Sequence, residues 1–307
     1  MKYIDEFRNP DIARALVEDI RRMATRQWGL MEVCGGQTHG LLRHGIEEEL
    51  RGTVELIHGP GCPVCVTPAA DIDFAQQLAL HENVILASFG DMLRVPGNRR
   101  SLLDVRAAGG QVRIVYSPLD AVTLAQRHPD QHVVFFAVGF ETTAPATALA
   151  ALQAQQLGLE NFSLLVSHVR VQPAMEALMQ SPDSRVQGFL AAGHVCTITG
   201  FDSYNSFVRQ FRVPVVVTGF EPIDLLEGIR DCVQQLEAGR AGVTNQYARS
   251  VDRTGNKDAQ SVVDRVYRVA DSPWRGFDVI PQGGLRLRPD FQQLDARHRF
   301  QATREQF

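Results

Sequence analysis

The sequence predicts an α/β protein built from two similar parallel-sheet domains with a cleft between them. Short apolar and β-branched runs of about five residues alternate with helical patterns along most of the chain. Continuous apolar runs of that kind are typical of strands buried on both faces of a parallel sheet. Glycine or a polar residue follows almost every run, which is where parallel strands end and where such sheets bind ligands. These observations together predict a doubly wound α/β architecture.

The elements follow in order along the chain. A first helix is predicted from Pro10 to about Arg26, because Asn9 can cap it and proline suits the first helical position. Eight strands are predicted, at Leu30–Val33, Val54–Ile57, Val84–Ala87, Val112–Tyr116, Val133–Val138, Phe162–Val166, Gly188–Ala191 and Pro214–Thr218. Helices are predicted between them, at Ala69–Leu80, Ser101–Ala108, Ser117–His128, Ala144–Leu157 and Ile223–Leu236. After residue 236 the pattern fades, and we predict loops at 245–256 and turns at 274–276 and 283–284.

We divide the chain into an N-terminal helix (1–28), a first α/β domain (29–128), a second α/β domain (129–236) and a C-terminal region (237–307). The smaller C-terminal region is expected to pack with the N-terminal helix. Two strand ends look alike, Val138-Gly139-Phe140-Glu141 and Thr218-Gly219-Phe220-Glu221. This likeness indicates recurring strand–turn chemistry.

Composition narrows the class of protein. The 307 residues carry a formal net charge of -4 at pH 7, so nucleic acid is not an expected partner. The N-terminus lacks the layout of a signal peptide, and the apolar runs are too short to cross a bilayer. Five cysteines without a secretion signal favour a reducing compartment. We therefore expect a soluble cytoplasmic protein that does not bind membranes.

Three of the five cysteines lie in two glycine-rich loops directly after predicted strands. The first loop is Cys34-Gly35-Gly36-Gln37-Thr38-His39, and the second is Gly59-Pro60-Gly61-Cys62-Pro63-Val64-Cys65. Two thiols separated by two residues can close a disulfide or hold a soft metal. Cys34 precedes two glycines at a predicted helix N-terminus, where we expect a lowered pKa and a good metal ligand or nucleophile.

Other interpretations of these residues stay open. The cysteines can be ordinary buried thiols, and Cys34 with His39 or His58 can complete a zinc site with the second loop. His39 can ligate a metal, carry a proton or cap the helix. Asp91, Glu141 and His194 follow strands beside glycines, where they serve either as proton carriers or as helix caps. Neither a phosphate-binding glycine loop nor a nucleophile elbow occurs, which disfavours nucleotide and serine-hydrolase chemistry.

The ordered set of motifs resembles the HypD family, which acts in maturation of the iron site of nickel–iron hydrogenases. Besides the two cysteine loops, the resemblance rests on Phe89-Gly90-Asp91, Val95-Pro96-Gly97, Gly139-Phe140-Glu141-Thr142-Thr143, Gly219-Phe220-Glu221-Pro222, Asn245-Gln246-Tyr247 and Trp274-Arg275-Gly276. It extends in order from the N-terminus to about residue 300. Motifs in this number and order make the resemblance specific.

The resemblance implies a scaffold on which an Fe(CN)2CO unit is assembled. Cys34 matches the iron-binding thiol of the family, which is shared with a cysteine of a HypC-type chaperone, and HypE delivers the cyanide. Cys62 and Cys65 match a pair thought to act as a thiol redox relay. A soft thiolate suits low-valent iron, and a dithiol can supply electrons by becoming a disulfide. The remaining candidates are Asp91, Glu141 and His194 for catalysis, and Gly35, Gly36, Thr38 and His39 around the iron.

The sequence departs from the family at two places. Family members continue with a cysteine-rich segment that holds a [4Fe-4S] cluster, whereas no cysteine follows Cys232 here. We therefore interpret 237–307 as the remnant of an iron–sulfur domain and do not expect these residues to hold the cluster. The family's Pro-Gly-His-Val-Ser stretch is Ala192-Gly193-His194-Val195-Cys196 here, which adds a thiol beside His194. A freestanding thiol–disulfide oxidoreductase and a zinc-stabilised interaction module are the alternative functions.

Overall fold

The computed structural model describes residues 5–301, which form two compact units. The first unit contains the chain up to Cys62 together with Ala174–Lys257, and the second contains Pro63–Pro173 together with the chain from Asp258 onward. Each unit has its own parallel sheet. The α/β class with two parallel sheets is thus confirmed.

The strands are β1 (Trp28–Glu32), β2 (Val54–His58), β3 (Val84–Ser88), β4 (Val112–Ile114), β5 (His132–Gly139), β6 (Phe162–His168), β7 (Gly188–Ala192), β8 (Val215–Thr218), β9 (Val243–Asn245), β10 (Tyr267–Pro273) and β11 (Val279–Leu287). The helices are α1 (Pro10–Met23), α2 (Gly35–Arg43), α3 (Ile46–Glu49), α4 (Ala69–Leu80), α5 (Leu102–Ala107), α6 (Pro118–Arg127), α7 (Ala144–Gln156), α8 (Val171–Gln180), α9 (Gly193–Thr199), α10 (Tyr204–Phe211), α11 (Pro222–Glu237), α12 (Lys257–Val266) and α13 (Ala296–Arg299). Short 3-10 turns cover Asp5–Arg8, Gly90–Arg94 and Pro289–Leu294.

The first unit is built on a five-stranded parallel sheet in the order β2-β1-β7-β8-β9. β1 is an interior strand buried along its whole length, with Leu30 paired to Leu56 on one side and to Gly188 on the other. Helix α1 begins after Asn9, whose side chain accepts hydrogen bonds from the N–H groups of the first turn. Its buried face packs on α11, where Arg230 pairs with Asp19.

The second unit is built on a four-stranded parallel sheet in the order β4-β3-β5-β6. The antiparallel hairpin β10–β11 joins this unit, with a bridge between Val169 and Gly284. The C-terminal helix α13 is held by Arg297, which pairs with the nearly buried Asp71 at 2.8 Å and also donates to the Val166 carbonyl. The C-terminal segment is therefore an integral part of the second unit.

All eight predicted strands and all six predicted helices are present, most with boundaries that differ by a few residues. The prediction missed β9, the β10–β11 hairpin and the helices α3, α8, α9, α10, α12 and α13. β9 is only three residues long, and β10 is largely exposed, so neither produces an apolar run. The predicted turn at 283–284 is wrong because both glycines lie inside β11. A Cβ on Gly284 would lie 2.6 Å from Cβ of Ser272, so the close approach of the two strands requires glycine here.

The sheets divide the chain differently from the predicted domains at 29–128 and 129–236. β1 and β2 pair with β7–β9, whereas β3 and β4 pair with β5 and β6. The N-terminal helix packs on α11 in the first unit, and residues 258–301 belong to the second unit. The predicted C-terminal region 237–307 is therefore divided, because residues 237–257 belong to the first unit. Apolar runs indicate strands but contain no information about which strands become neighbours.

Candidate functional site

Cys34 is the N-cap of α2, two residues after the end of the interior strand β1. Its backbone is extended, and Sγ accepts a hydrogen bond from the Gly36 N–H at 3.3 Å. The side chain is buried. The geometry confirms the predicted position of the thiol at a strand end and a helix N-terminus.

Burial raises the pKa of the Cys34 thiol above its ordinary value. The N–H groups of Gly36 and Gln37 act in the opposite direction, and the nearby Glu32 carboxylate raises the pKa further. The predicted lowering is therefore wrong, because desolvation of a buried thiolate outweighs the helix N-terminus. The thiol stays protonated near neutral pH and loses its proton when a metal ion takes the sulfur.

The buried carboxylate of Glu32 lies next to the Cys34 backbone. The sequence analysis did not identify it as a site residue. Oε2 accepts from the Cys34 N–H at 2.8 Å, and Oε1 accepts from the Thr38 hydroxyl. Nδ1 of His58 lies 2.9 Å from Oε1. The signal was present in the sequence, since an acidic residue inside a strand buried on both faces must find hydrogen-bond donors.

Within the first unit, the starts of the two cysteine loops contact each other through their backbones. Gly35 donates its N–H to the Gly61 carbonyl at 3.2 Å, and Gly59 donates to the Glu32 carbonyl at 2.8 Å. A Cβ on Gly61 would lie 2.4 Å from the Gly35 nitrogen and 2.6 Å from Cα of Cys34. Glycine at 61 is therefore required for the close approach of the loop that leads into Cys62.

His194 and Phe220 form the other side of the site. Both ring nitrogens of His194 lie close to Cys34 Sγ, Nδ1 at 3.8 Å and Nε2 at 3.9 Å. Burial lowers the pKa of His194, which favours the neutral imidazole. The Phe220 ring lies 5.3 Å from the His194 ring and packs against Gly36. The thiol therefore has a potential proton acceptor and an apolar wall beside it.

A cavity of about 330 Å³ continues from Phe220 to Tyr247 and Arg249. Arg249 makes two hydrogen bonds of 2.6 Å to the fully buried Asp224 and stacks on the rings of Phe7 and Tyr247. The Asp224 hydrogen bond raises the Arg249 pKa. The segment Asn245-Gln246-Tyr247, noted in the sequence, thus lies next to the cysteine site at the end of β9.

The other candidates of the first unit surround this site. Thr38 is half-buried, whereas Gly35, Gly36 and His39 are exposed at the start of α2. Gln37 is fully buried and donates to the Thr218 hydroxyl at 2.6 Å, which ties α2 to the end of β8. Cys62 is the half-buried last residue of the first unit.

Cys65, Asp91 and Glu141 belong to the second unit. Cys65 is exposed in the turn before α4, and Asp91 is exposed in the 3-10 turn after β3. Glu141 follows β5, and its Oε1 accepts from the Val171 N–H at 3.0 Å. Burial raises the Glu141 pKa. Cys196 and Cys232 are buried, as expected of packing residues.

Within residues 5–301, no three side chains of the His, Cys, Asp and Glu types come together as a metal-binding group. The predicted zinc module therefore gains no support from the ligand geometry. A [4Fe-4S] cluster takes four cysteine thiolates, and no such group comes together among the described residues. No helix in the same part of the chain is long and apolar enough to cross a membrane.

Comparison with known proteins identifies relatives over nearly the whole chain. The family model HypD, described as "Hydrogenase formation hypA family", matches residues 11–307. The hydrogenase maturation factor HypD of Azotobacter vinelandii is 48% identical over 309 residues, which cover 98% of this chain and 82% of that protein. The protein of the same name from Escherichia coli (strain K12) is 44% identical over 314 residues, covering 100% of this chain and 84% of the relative. That of Rhizobium leguminosarum bv. viciae is 45% identical over 310 residues, covering 98% and 80%.

Proposed function

The chain belongs to the HypD family and acts in hydrogenase maturation, and we propose that within this process it is the scaffold on which an iron ion acquires its cyanide and carbon monoxide ligands. The iron is the cargo of the scaffold, and Cys34 is its ligand. Thiolate sulfur is the protein donor best suited to low-valent iron.

The observation that supports this proposal is the surroundings of the Cys34 sulfur. Glu32 fixes the backbone of Cys34 from below, and His194 and Phe220 approach the sulfur from the side. A neutral His194 can take the proton that the thiol releases when iron binds. The remaining protein ligand in this proposal is a cysteine of a HypC-type chaperone.

Cyanide arrives on a thiocyanate of HypE in this proposal, and its release requires two electrons. The reaction R–S–CN + 2 Cys–SH → R–SH + HCN + Cys–S–S–Cys balances atoms and electrons. Cys62 and Cys65 supply the electron pair and become a disulfide. The exposed position of Cys65 is compatible with access by a large partner.

The test is infrared spectroscopy of the full chain, purified anaerobically together with its HypC-type chaperone. We expect cyanide and carbonyl bands from the wild-type complex and their loss in Cys34→Ala. Cys232→Ala is the matched control, because it removes a thiol buried on α11 of the same unit and keeps the bands.

If Cys34→Ala retains the bands of the wild type, Cys34 is not the iron ligand. If neither the wild type nor Cys34→Ala shows bands but the chain rapidly reduces simple disulfides, the result supports the alternative function of a thiol–disulfide oxidoreductase.

A further inference from the structure

His58 ends β2, and Gly59, the first residue of the second cysteine loop, follows it directly. In the register of the parallel strands His58 lies opposite Glu32 of β1, and its Nδ1 lies 2.9 Å from Glu32 Oε1. Because a carboxylate oxygen can only accept, Nδ1 is the donor. The other ring nitrogen lies 3.6 Å from Glu47 Oε2, which is beyond hydrogen-bond distance. Among the described residues, the hydrogen bond of the His58 ring therefore goes to the buried Glu32.

The Glu32 carboxylate holds the Cys34 backbone through its other oxygen. Oε2 accepts from the Cys34 N–H at 2.8 Å, while Oε1 accepts from His58 and from the Thr38 hydroxyl. The Thr38 hydroxyl has a single proton and also lies 3.4 Å from the Cys34 carbonyl, so it divides that proton between two acceptors. If His58 is lost, the carboxylate keeps only this shared donor on Oε1 and can turn away from Cys34.

The backbone contacts between the two loops do not depend on the side chain at position 58. Gly59 donates its N–H to the Glu32 carbonyl, and Gly35 donates to the Gly61 carbonyl. Both bonds stay available after any substitution of His58, so what the imidazole adds is control of the Glu32 side chain. Because the ring is 37% exposed, its replacement removes little packing. A substitution of His58 therefore isolates the side-chain contact.

We infer that His58 is a positioning residue of the iron site, which holds the Glu32 carboxylate against the Cys34 N–H and keeps the first cysteine loop in the conformation that receives iron. Groups that hold a metal ligand from behind orient it, and their loss typically weakens metal binding about 10- to 100-fold. The second cysteine loop thus serves the iron site through a residue that carries no thiol. The inference rests on the proposed function, since iron loading at Cys34 gives the position of that residue its importance.

The competing interpretation is that His58 only stabilises the end of β2. Two substitutions separate the interpretations. His58→Leu fills much of the space of the ring without a donor, whereas His58→Asn places an amide N–H where Nδ1 lies and can still donate to Glu32. His44 is an exposed histidine of the same unit at the end of α2, and His44→Leu is therefore the matched control.

The first measurement is amide hydrogen exchange of the full chain without iron, followed by NMR. The Cys34 N–H exchanges when its hydrogen bond to Glu32 opens, so its rate reports how firmly the carboxylate is held. We expect His58→Leu to raise this rate about tenfold, the effect of one lost hydrogen bond to a charged group. The buried amides of β8 keep their wild-type rates, His58→Asn restores most of the protection of Cys34, and His44→Leu leaves it unchanged.

The second measurement is infrared spectroscopy of the anaerobic complex with the HypC-type chaperone. We expect the cyanide and carbonyl bands to fall below half of the wild-type intensity in His58→Leu and to recover in His58→Asn. Bands of wild-type strength in His58→Leu overturn the inference. An unchanged Cys34 exchange rate in His58→Leu, an equal acceleration of the β8 amides, or failure of His58→Asn to restore protection also overturns it.

If His58→Leu fails to fold, His58→Phe takes its place, because it keeps a ring of similar shape without the donor, and the same outcomes decide. The exchange measurement is independent of iron loading. Absent bands in the wild type together with a Cys34 exchange rate that depends on His58 would therefore refute the scaffold proposal alone.

Discussion

The Glu32 carboxylate accepts hydrogen bonds from three different parts of the cysteine site. Its donors are the Cys34 N–H and the Thr38 hydroxyl in the first loop, and the His58 ring at the end of β2. Because the carboxylate is fully buried, water cannot replace a lost partner. At the scale of single residues, Glu32 is therefore the group that fixes the orientation of the Cys34 backbone.

Glu32→Gln replaces one acceptor oxygen by an amide that can only donate. We expect the free energy of unfolding to fall by about 1–3 kcal/mol, since at least one buried donor loses its acceptor. Urea unfolding monitored by circular dichroism measures this change. Glu55→Gln on β2 is the control, because its carboxylate is partly exposed and its pair with Arg185 should contribute little. An equal loss of stability in both variants would contradict the role of Glu32 as the buried acceptor that fixes the Cys34 backbone.

His168 gives a pH dependence to the stability of the second unit. Burial lowers its pKa to about 4, from an ordinary value of 6.5. As pH falls through 6.5, the unfolded chain takes up a proton that the folded protein does not, so stability falls until about pH 4. The shift corresponds to roughly 3 kcal/mol. His132, whose pKa burial also lowers to about 4, adds to the same window.

His168→Gln should therefore show a shallower loss of stability than the wild type between pH 6.5 and 4, whatever its stability at neutral pH. Urea unfolding at several pH values gives the slopes. The exposed His298 provides the control variant, His298→Gln, which should keep the wild-type slope. If the His168 variant retains that slope as well, another group is responsible.

At the scale of elements, the contact between the two cysteine loops depends on the absence of a side chain at Gly61. We expect Gly61→Ala to displace the loop, because its Cβ would overlap the Cys34 backbone, and to reduce the cyanide and carbonyl bands by more than half. Gly90→Ala is the control, since a Cβ at that strand end meets its nearest neighbour at an ordinary 3.7 Å. Bands of wild-type strength in Gly61→Ala would show that the loop contact is dispensable.

The eight predicted strands and six predicted helices could be found because each carries a local signal, an apolar run or a capped amphipathic stretch. Cys34 and His194 could likewise be placed at strand ends from glycine and apolar neighbours. Glu32 was missed because an apolar run conceals one acidic residue, and the Cys34 pKa was misjudged because burial depends on tertiary packing. Strand order was not predictable, because parallel strands far apart in sequence pair through crossovers that leave no local trace.

At the scale of the whole molecule, the four-stranded sheet comes from residues 84–168, whereas the five-stranded sheet combines strands from before and after that segment. We expect a fragment of residues 29–128 to remain unfolded, since β1 then lacks its neighbour β7 and β3 lacks its neighbour β5. Circular dichroism and amide hydrogen exchange on the fragment test this expectation against the full chain. A protected, cooperatively unfolding fragment would contradict the strand order.

The strand order also has a consequence for synthesis on the ribosome. All four strands of the β4-β3-β5-β6 sheet have been made once residue 168 is reached, whereas β1 acquires its neighbour β7 only after residue 188. Because chains begin to fold as they emerge, the four-stranded sheet can be completed first. Until β7 has been made, the edge of β1 that pairs with β7 remains unpaired. Cys34, the first cysteine to be translated, is therefore enclosed only after His194 and Phe220 have been added.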